Sequence, residues 1–507
     1  MRMLQPRDLT PSPYTAPQLS KTHGYAASVA ASAQVHANFH ARSHAKQSLT
    51  FLQKLTVLAI FLLVPLMFWG HWIYDLLFGA VGVTTIFYFA LLLFKSQIAW
   101  HSVTGGTLDV TRRDLRSLGD SELPIVTILV PLYHEGAILH DLVRHLEKLI
   151  YPPSKLEILL LLEADDHETQ QALANLHIPS HFHPLIAPVS ALRTKPRVCN
   201  IGLAAAHGEY CVIYDAEDMP APDQILKAIA GFKKAGPEVG CLQARLRFSN
   251  HRQNFLTRFF AAEYAMYFNL VLPGLGKLNL PTPLGGTSNF FRTVTLREGG
   301  GWDPYNVTED LDLGICLARA HKRVVTFNSD TEEIATWLPD RWIRQRTRWI
   351  KGHIQTYFVH MRSPIRLWKD LGPLGFFSFQ LIVGGTPLVL FINPIFWTLT
   401  VLYAFTGSQF ITSLYPNPLY WLGVTSMIVG NFLFLWLFMA GCIQQGLYRN
   451  IKWMLLAPFY WVLMSVAAWR AVLQFVHRPH HWEKTNHAGN RWILKHPAAP
   501  QPFEVEL

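Results

Sequence analysis

Five apolar runs of membrane-spanning length, at residues 55–72, 77–93, 376–405, 419–442 and 453–476, gather at the two ends of the chain. A helix satisfies its own backbone in lipid, so such runs demand anchoring in a bilayer, with a folded domain inserted in the long mixed stretch between them. Composition agrees: 50% hydrophobic against 15% charged residues indicates a membrane protein, and a mean hydropathy of only +0.17 requires a sizeable water-soluble part. The first run follows a His/Ala/Ser-rich stretch with no small-residue cleavage site, so it is expected to remain as an anchor.

Lys and Arg set the orientation. Arg42, Lys46 and Lys54 precede the first span, the turn 71–75 carries none, and Lys95, Arg112 and Arg113 follow the second, which predicts a cytoplasmic central domain. At the other end both Arg449/Lys452 and the tail with Arg478, Lys484, Arg491 and Lys495 belong inside. One run must then not cross simply, and 453–476, with Pro458 and Arg470, is the candidate for a re-entrant or in-plane helix. The net charge of +10 concentrates near membrane edges and in one Trp-rich helix, which favours anionic lipid headgroups and a diphosphate ligand over nucleic acid. Five cysteines, odd in number and without paired metal spacing, suggest neither a disulfide framework nor a zinc site. His23, His36, His40 and His44 read as spacers in a polar tail rather than a metal tract.

In the central stretch, residues 125–131 form a short apolar run rich in β-branched residues, followed by a loop at Gly136 and a helical pattern from Ile138 to Leu149. Further apolar runs end at Glu163, Asp165 and Asp166, and at Asp215. Unalternating strands separated by helices indicate a parallel sheet covered on both faces, and such sheets bind ligands beyond the C-terminal ends of their strands. The carboxylates stand there. No G-x-G-x-x-G or Walker-type phosphate loop follows these strands, so the dinucleotide fingerprint and the P-loop are both absent and any nucleotide is held differently.

Three patterns carry chemistry. Asp215-Ala-Glu-Asp218 converges several carboxylates on a tight turn, which suits a hard divalent cation shared with a ligand's phosphates, or equally a solvated acidic turn or helix cap. Thr308-Glu309-Asp310 follows Gly299-Gly300-Gly301-Trp302-Asp303; it offers a general base, or a capping box for the next helix. Gln345-Arg-Thr-Arg348-Trp349 puts an amide, a guanidinium and an indole on one helix face, suited to a diphosphate and a sugar ring, and compatible with an amphipathic helix at a membrane surface. Lys195 before the third strand and the small-residue stretch Leu284-Gly-Gly-Thr-Ser288 complete the set, with a surface lysine and an ordinary loop as the plain alternatives.

These motifs, in this order between membrane spans, resemble the processive branch of glycosyltransferase family 2: cellulose synthase, hyaluronan synthase and bacterial exopolysaccharide synthases. The resemblance covers about residues 55–485. It implies an α/β GT-A (Rossmann-like) domain inserted between transmembrane helices, a UDP-sugar donor, a Mg²⁺ or Mn²⁺ ion, and inversion to a β-linked product. By that resemblance Asp215 and Glu217 hold the metal, Asp310 is the general base beside Glu309, and Gln345, Arg348 and Trp349 contact the diphosphate and the acceptor end of a growing glycan. Thr287 and Ser288 face that end, Lys195 sits near the donor, and Tyr133, Glu135, Glu163 and Asp166 belong to the nucleotide pocket. The family's second metal carboxylate appears as Glu217 beside Asp218, and its second-strand Asp as Glu163, with Asp165 or Asp166 as substitutes.

The expected organisation is a disordered cytoplasmic segment 1–48, two transmembrane helices in 49–100, the catalytic domain 101–338, an amphipathic interface helix region 339–372, C-terminal transmembrane helices in 373–476, and a tail 477–507. That tail is too short for a cyclic-dinucleotide-binding domain. The expected activity is polymerisation of a UDP-sugar, glucose favoured and N-acetylglucosamine next, with passage of the glycan across a bacterial plasma membrane and accessory export subunits as a partner class. The rivals are a membrane glycosyltransferase that adds one sugar to a lipid or short glycan, and a non-catalytic receptor or scaffold.

Overall fold

The computed structural model describes residues 44–69, 72–119, 122–190 and 192–480. The segment 1–43, with His23, His36 and His40, and the tail from 481 onward lie outside the described residues.

Eight strands form one sheet in the order β3-β2-β1-β4-β7-β6-β8-β5. They are β1 (Val126–Leu132), β2 (Leu156–Glu163), β3 (Phe182–Ala187), β4 (Tyr210–Ile213), β5 (Met219–Pro220), β6 (Val239–Phe248), β7 (Asn289–Arg292) and β8 (Arg323–Glu333). Alternate residues of the apolar strands feed two cores: Ile128, Val130, Leu160 and Val212 on one face, Leu129, Leu161, Cys211 and Ile213 on the other. Both faces are therefore covered, as the unbroken apolar runs require. The expected parallel pairing holds for β3-β2-β1-β4 and for β6-β8, whereas β7 runs antiparallel between β4 and β6, and β5 antiparallel to β8. The reversal has a local cause. The loop before β7 is tied to the end of β4 by a hydrogen bond from Ser288 N to Ile213 O (2.8 Å), so β7 enters the sheet at the edge where β4 leaves it.

Among the described residues four helices are long and apolar enough to cross a membrane: Ile73–Val103, Pro364–Thr406, Asn417–Gln444 and Tyr448–His477. The run expected at 55–72 falls, as far as residue 69, in α1 (Phe51–Trp69), whose segment Phe51–Leu63 is apolar. The next, α2 (Ile73–Val103), continues well past the expected end at residue 93 and reaches the catalytic domain. The run at 453–476 begins in a 3₁₀ stretch, Tyr448–Leu456, and becomes regular helix from Ala457 to His477; by length and composition this segment suits a crossing.

Two local findings differ from the sequence reading. Residues 44–48, the end of the stretch expected to be unstructured, are held on the domain: Ala45 is fully buried, its N–H donates to Asp303 Oδ2 (2.5 Å), and Arg362 Nη1 donates to the carbonyl of His44 (2.9 Å). The helix carrying the Gln/Arg/Trp motif, Pro339–His360, is not a surface helix with one wet face; from Arg341 to His360 only Arg344 is exposed. Its polar residues are matched by partners within the protein, Arg346 by Glu263 (2.7 Å), Gln355 by the carbonyl of Pro479 (2.8 Å) and Lys351 by that of Arg478 (3.4 Å).

Candidate active site

The first wall of the site is the exit of β4. Asp218 turns inward: its Oδ2 accepts from Asp215 N (2.7 Å) and from the Thr287 hydroxyl, which shapes the turn and leaves Asp215 and Glu217 facing the cavity. Asp218 Oδ1 is buried without a hydrogen-bond partner, and burial followed by the Asp215 charge holds this carboxyl well above its usual range. Lys195, the first residue of α3 (Lys195–Ala205), pairs with Asp215 at 2.5 Å and donates to the carbonyl of Gly286 at 2.8 Å. Burial opposes its charge, yet the carboxylates of Asp215 and Glu309 keep the ammonium above its ordinary pKa.

The second wall is the turn leading into α4 (Glu309–Arg319). Gly301 is in the left-handed region (φ +68°), and a Cβ there would lie 2.2 Å from Asn200 Oδ1. Asn200 instead exchanges hydrogen bonds with the backbone of Trp302 (2.9 and 2.8 Å), fastening the Gly-rich loop to the helix that bears Lys195. Downstream, Asp310 Oδ1 accepts from Leu311 N (2.8 Å), and a Cβ on Gly286 would be 3.4 Å from Asp310 Oδ2, so the glycine loop and this carboxylate are immediate neighbours. Burial raises the Asp310 carboxyl; burial and the Asp310 charge push Glu309 up to about 7.

The third wall is α5 (Pro339–His360), which brings Gln345, Arg348 and Trp349 to the same cavity. Arg348 faces the charges of Glu309, Asp310 and Asp215, which offset the lowering of its pKa by burial. Trp349 lies stacked on Tyr264 (6.2 Å, 28°) with the Arg346 guanidinium 4.6 Å from its ring, so its face is fixed by an aromatic and cationic surround. Gln345 Oε1 is buried without a hydrogen-bond partner among the described residues.

Twelve of the residues singled out from the sequence thus meet around one cavity of about 520 Å³: Tyr133, Glu135, Glu163, Lys195, Asp215, Glu217, Thr287, Glu309, Asp310, Gln345, Arg348 and Trp349. Asp166 and Ser288 do not line it. Asp166 is fully buried as the N-cap of His167–Ala174, accepting from Thr169 N (3.1 Å) and His134 N (2.6 Å), and so braces the turn bearing Tyr133 and Glu135. Ser288 is buried with φ +56°, its hydroxyl against that of Thr331 (2.7 Å), because the residue after Thr287 turns to the far side of the sheet. Glu163 reaches the cavity wall but its carboxylate is clamped by Arg197 Nη1 (2.9 and 3.1 Å). Sequence reasoning missed Glu333, at the end of β8, which lines the cavity; burial and the charges of Asp218, Glu217 and Asp215 raise its carboxyl well above the usual range. The signal was present, since Glu333 obeys the same strand-end rule as Asp215.

Buried carboxylates in excess of the cations beside them, together with the unsatisfied Asp218 oxygen, fit a divalent cation at Asp215 and Glu217. A second compact set, Asp312 and Cys316 of α4 with His360 of α5, is spent on hydrogen bonds: His360 Nε2 to Asp312 Oδ1 (2.9 Å) and Arg319 Nη1 to His360 Nδ1 (3.1 Å).

The description "glycosyl transferase family group 2" matches residues 210–476, which include the Asp215 turn, the Asp310 turn and α5. The chain belongs to this glycosyltransferase family. Relatives of this glycosyltransferase include the probable glycosyltransferase YdaM of Bacillus subtilis, 27% identical over 243 residues (46% of this chain, 56% of the relative), and the beta-monoglucosyldiacylglycerol synthase of Synechocystis, 29% identical over 338 residues (62% and 63%). The chain spans 56% and 63% of the length of these two relatives. In fold it is similar to the mannosyltransferase PcManGT of Pyrobaculum calidifontis, solved with GDP-Man and Mn²⁺, with a TM-score of 0.50 at 18% identity over 79% of this chain and 99% of that one. The domain has a GT-A-like glycosyltransferase fold.

Proposed function

We propose that this glycosyltransferase moves one hexosyl group, glucose favoured, from a UDP-sugar to the hydroxyl of a membrane lipid, with inversion. The observation that carries this reading is the composition of the cavity. From the carboxylates it continues between the membrane helices, where its walls are aliphatic and aromatic, among them Leu91, Ile382, Val389, Leu390 and Phe438. Such walls suit acyl chains better than a hydrated glycan. The beta-monoglucosyldiacylglycerol synthases among the relatives support the same choice.

In the proposed reaction Asp310 accepts the proton of the acceptor hydroxyl. The hydroxyl oxygen forms a bond to the anomeric carbon as the bond to the diphosphate oxygen breaks, and UDP leaves with that electron pair. Arg348 and Lys195 are assigned to the leaving diphosphate, Trp349 to the sugar ring, and Glu217 with Asp215 to a Mg²⁺ or Mn²⁺ ion. Such an ion supplies positive charge to the departing phosphates. The second reading, processive polymerisation, keeps the support of the Gln345/Arg348/Trp349 pattern.

The test uses detergent-purified protein with a panel of UDP-sugars, Mg²⁺ or Mn²⁺ and diacylglycerol or phospholipid acceptors, with Asp310→Asn as control. A glycolipid carrying one sugar, absent in the control, is the expected product. A polymer of high mass would overturn the single-transfer reading, and transfer that survives in the control would remove Asp310 from the mechanism.

A further inference from the structure

Lys95 lines the cavity and has no task in the reaction above. From the sequence it reads as a charge flanking the second span, but α2 runs on to Val103 and places Lys95 inside a membrane helix. Its depth follows from the packing three residues further on. A Cβ on Gly274 would lie 2.5 Å from the carbonyl of Ile98, so the helix touches the catalytic domain there, and Lys277 Nζ donates to the carbonyl of Thr104 (2.8 Å). Lys95 therefore stands about 4.5 Å along the helix on the membrane side of that contact, at the level of lipid headgroups.

A lysine at this depth ordinarily extends its ammonium outward to headgroups and water. Here it lines the cavity shared with Asp310 and Arg348, with Nζ 4.3 Å from the centroid of the Phe434 ring. Phe434 in turn packs edge-on against Trp461 (5.8 Å) and Phe438 (5.3 Å). Among the described residues no carboxylate lies within 4.0 Å of this ammonium. An ammonium set against aromatic side chains at membrane depth, with no carboxylate in contact, is costly unless a ligand brings a negative group to it. The donor's diphosphate is served from the sheet side by Lys195 and Arg348, which leaves the acceptor to supply the anion.

We propose that Lys95 and the Phe434 ring form a subsite for the phosphate of the acceptor, so that the lipid glycosylated is a glycerophospholipid with a free headgroup hydroxyl rather than a neutral diacylglycerol. This inference rests on the lipid-acceptor reading above. The phosphodiester is bound and left intact. The hydroxyl beyond it reaches Asp310, and the acyl chains lie along the aliphatic walls.

The experiment compares phosphatidylglycerol with diacylglycerol of identical acyl chains as acceptors for the full-length protein in mixed micelles, following glycolipid by mass and fitting KM for acceptor and donor. Wild type is expected to use phosphatidylglycerol with a KM on the order of tenfold lower. Lys95→Met should erase most of that preference, and Lys95→Arg should keep it. Preference of wild type for diacylglycerol overturns the proposal without need of a variant, as does stimulation of diacylglycerol transfer by phosphatidylglycerol that is not itself glycosylated. An acceptor ratio unchanged in Lys95→Met, or a rise in donor KM alone, overturns it by placing Lys95 elsewhere. If neither lipid is glycosylated while UDP is released, the lipid-acceptor reading itself falls and this subsite with it.

Discussion

Gly352 is the tightest point between the helix that bears Arg348 and the turn that bears Asp310. Alanine at this position would put a Cβ 2.1 Å from Thr308 Oγ1, 2.4 Å from its Cγ2 and 2.7 Å from its Cβ. Rotating the threonine cannot clear all three, because its Cβ is fixed to the backbone and its N–H is held by Asn306 Oδ1 at 3.0 Å. Restoring the closest contact to an ordinary separation of about 3.4 Å requires α4 and α5 to part by roughly 1.3 Å. A misplacement of ~1 Å among reacting groups costs on the order of 100-fold in rate. Stability should change far less: overpacking costs ~1–3 kcal/mol, and the gain in helix propensity from glycine to alanine offsets about 1 kcal/mol of it. The expected result is a loss of about two orders of magnitude in glycolipid formation and UDP release at saturating donor, with an unfolding temperature in the same detergent lowered by only a few degrees. The loss should shrink when Gly352→Ala is introduced into Thr308→Gly, which removes the obstructing atoms. Gly352→Ala activity within about threefold of wild type would refute the claim that this contact sets the distance between Arg348 and Asp310.

Burial raises the Asp310 carboxyl, and burial with the Asp310 charge pushes Glu309 up to about 7, so a base that must be ionised predicts a rate that declines with falling pH while still above the usual carboxylate range. In Glu309→Gln the acid limb of kcat/KM should move to lower pH, and an unmoved limb would exclude the coupling. Stability has the opposite sign: the folded state prefers the neutral carboxyl of Glu309, so its contribution declines as pH rises from 4.5 towards 7. Arg346→Leu leaves the partly exposed Glu263 carboxylate, now 2.7 Å from the guanidinium, without its cation; a loss of ~1.5–3 kcal/mol is expected in thermal unfolding, with partial recovery on adding Glu263→Gln. Chelation of divalent ions should abolish transfer, and Mn²⁺ or Mg²⁺ should restore it; full activity in chelator would remove the ion from the scheme.

What could be read from the chain alone were features written into local pattern. The apolar runs announced helices long and apolar enough to cross a membrane, the unalternating strands announced a sheet covered on both faces, and the placing of Asp215, Asp310 and Arg348 at one cavity could be anticipated because strand ends, turns and helix faces direct side chains predictably over a few residues. Glu333 obeyed the same rule and was passed over only because its strand, Arg323–Glu333, is polar towards its end. Tertiary structure alone decided the rest. An apolar helix carries no amphipathic stripe to show which side faces a cavity, so the inward turn of Lys95 depends on how α2 packs on Gly274 and Phe434. The burial of α5 on nearly every side overturned its amphipathic appearance, since Glu263 and backbone carbonyls far along the chain supply the partners that water would otherwise provide. The antiparallel entry of β7 and the contact of Gly352 with Thr308 are likewise pairings between distant segments, and these are fixed by packing rather than by the propensities of either segment.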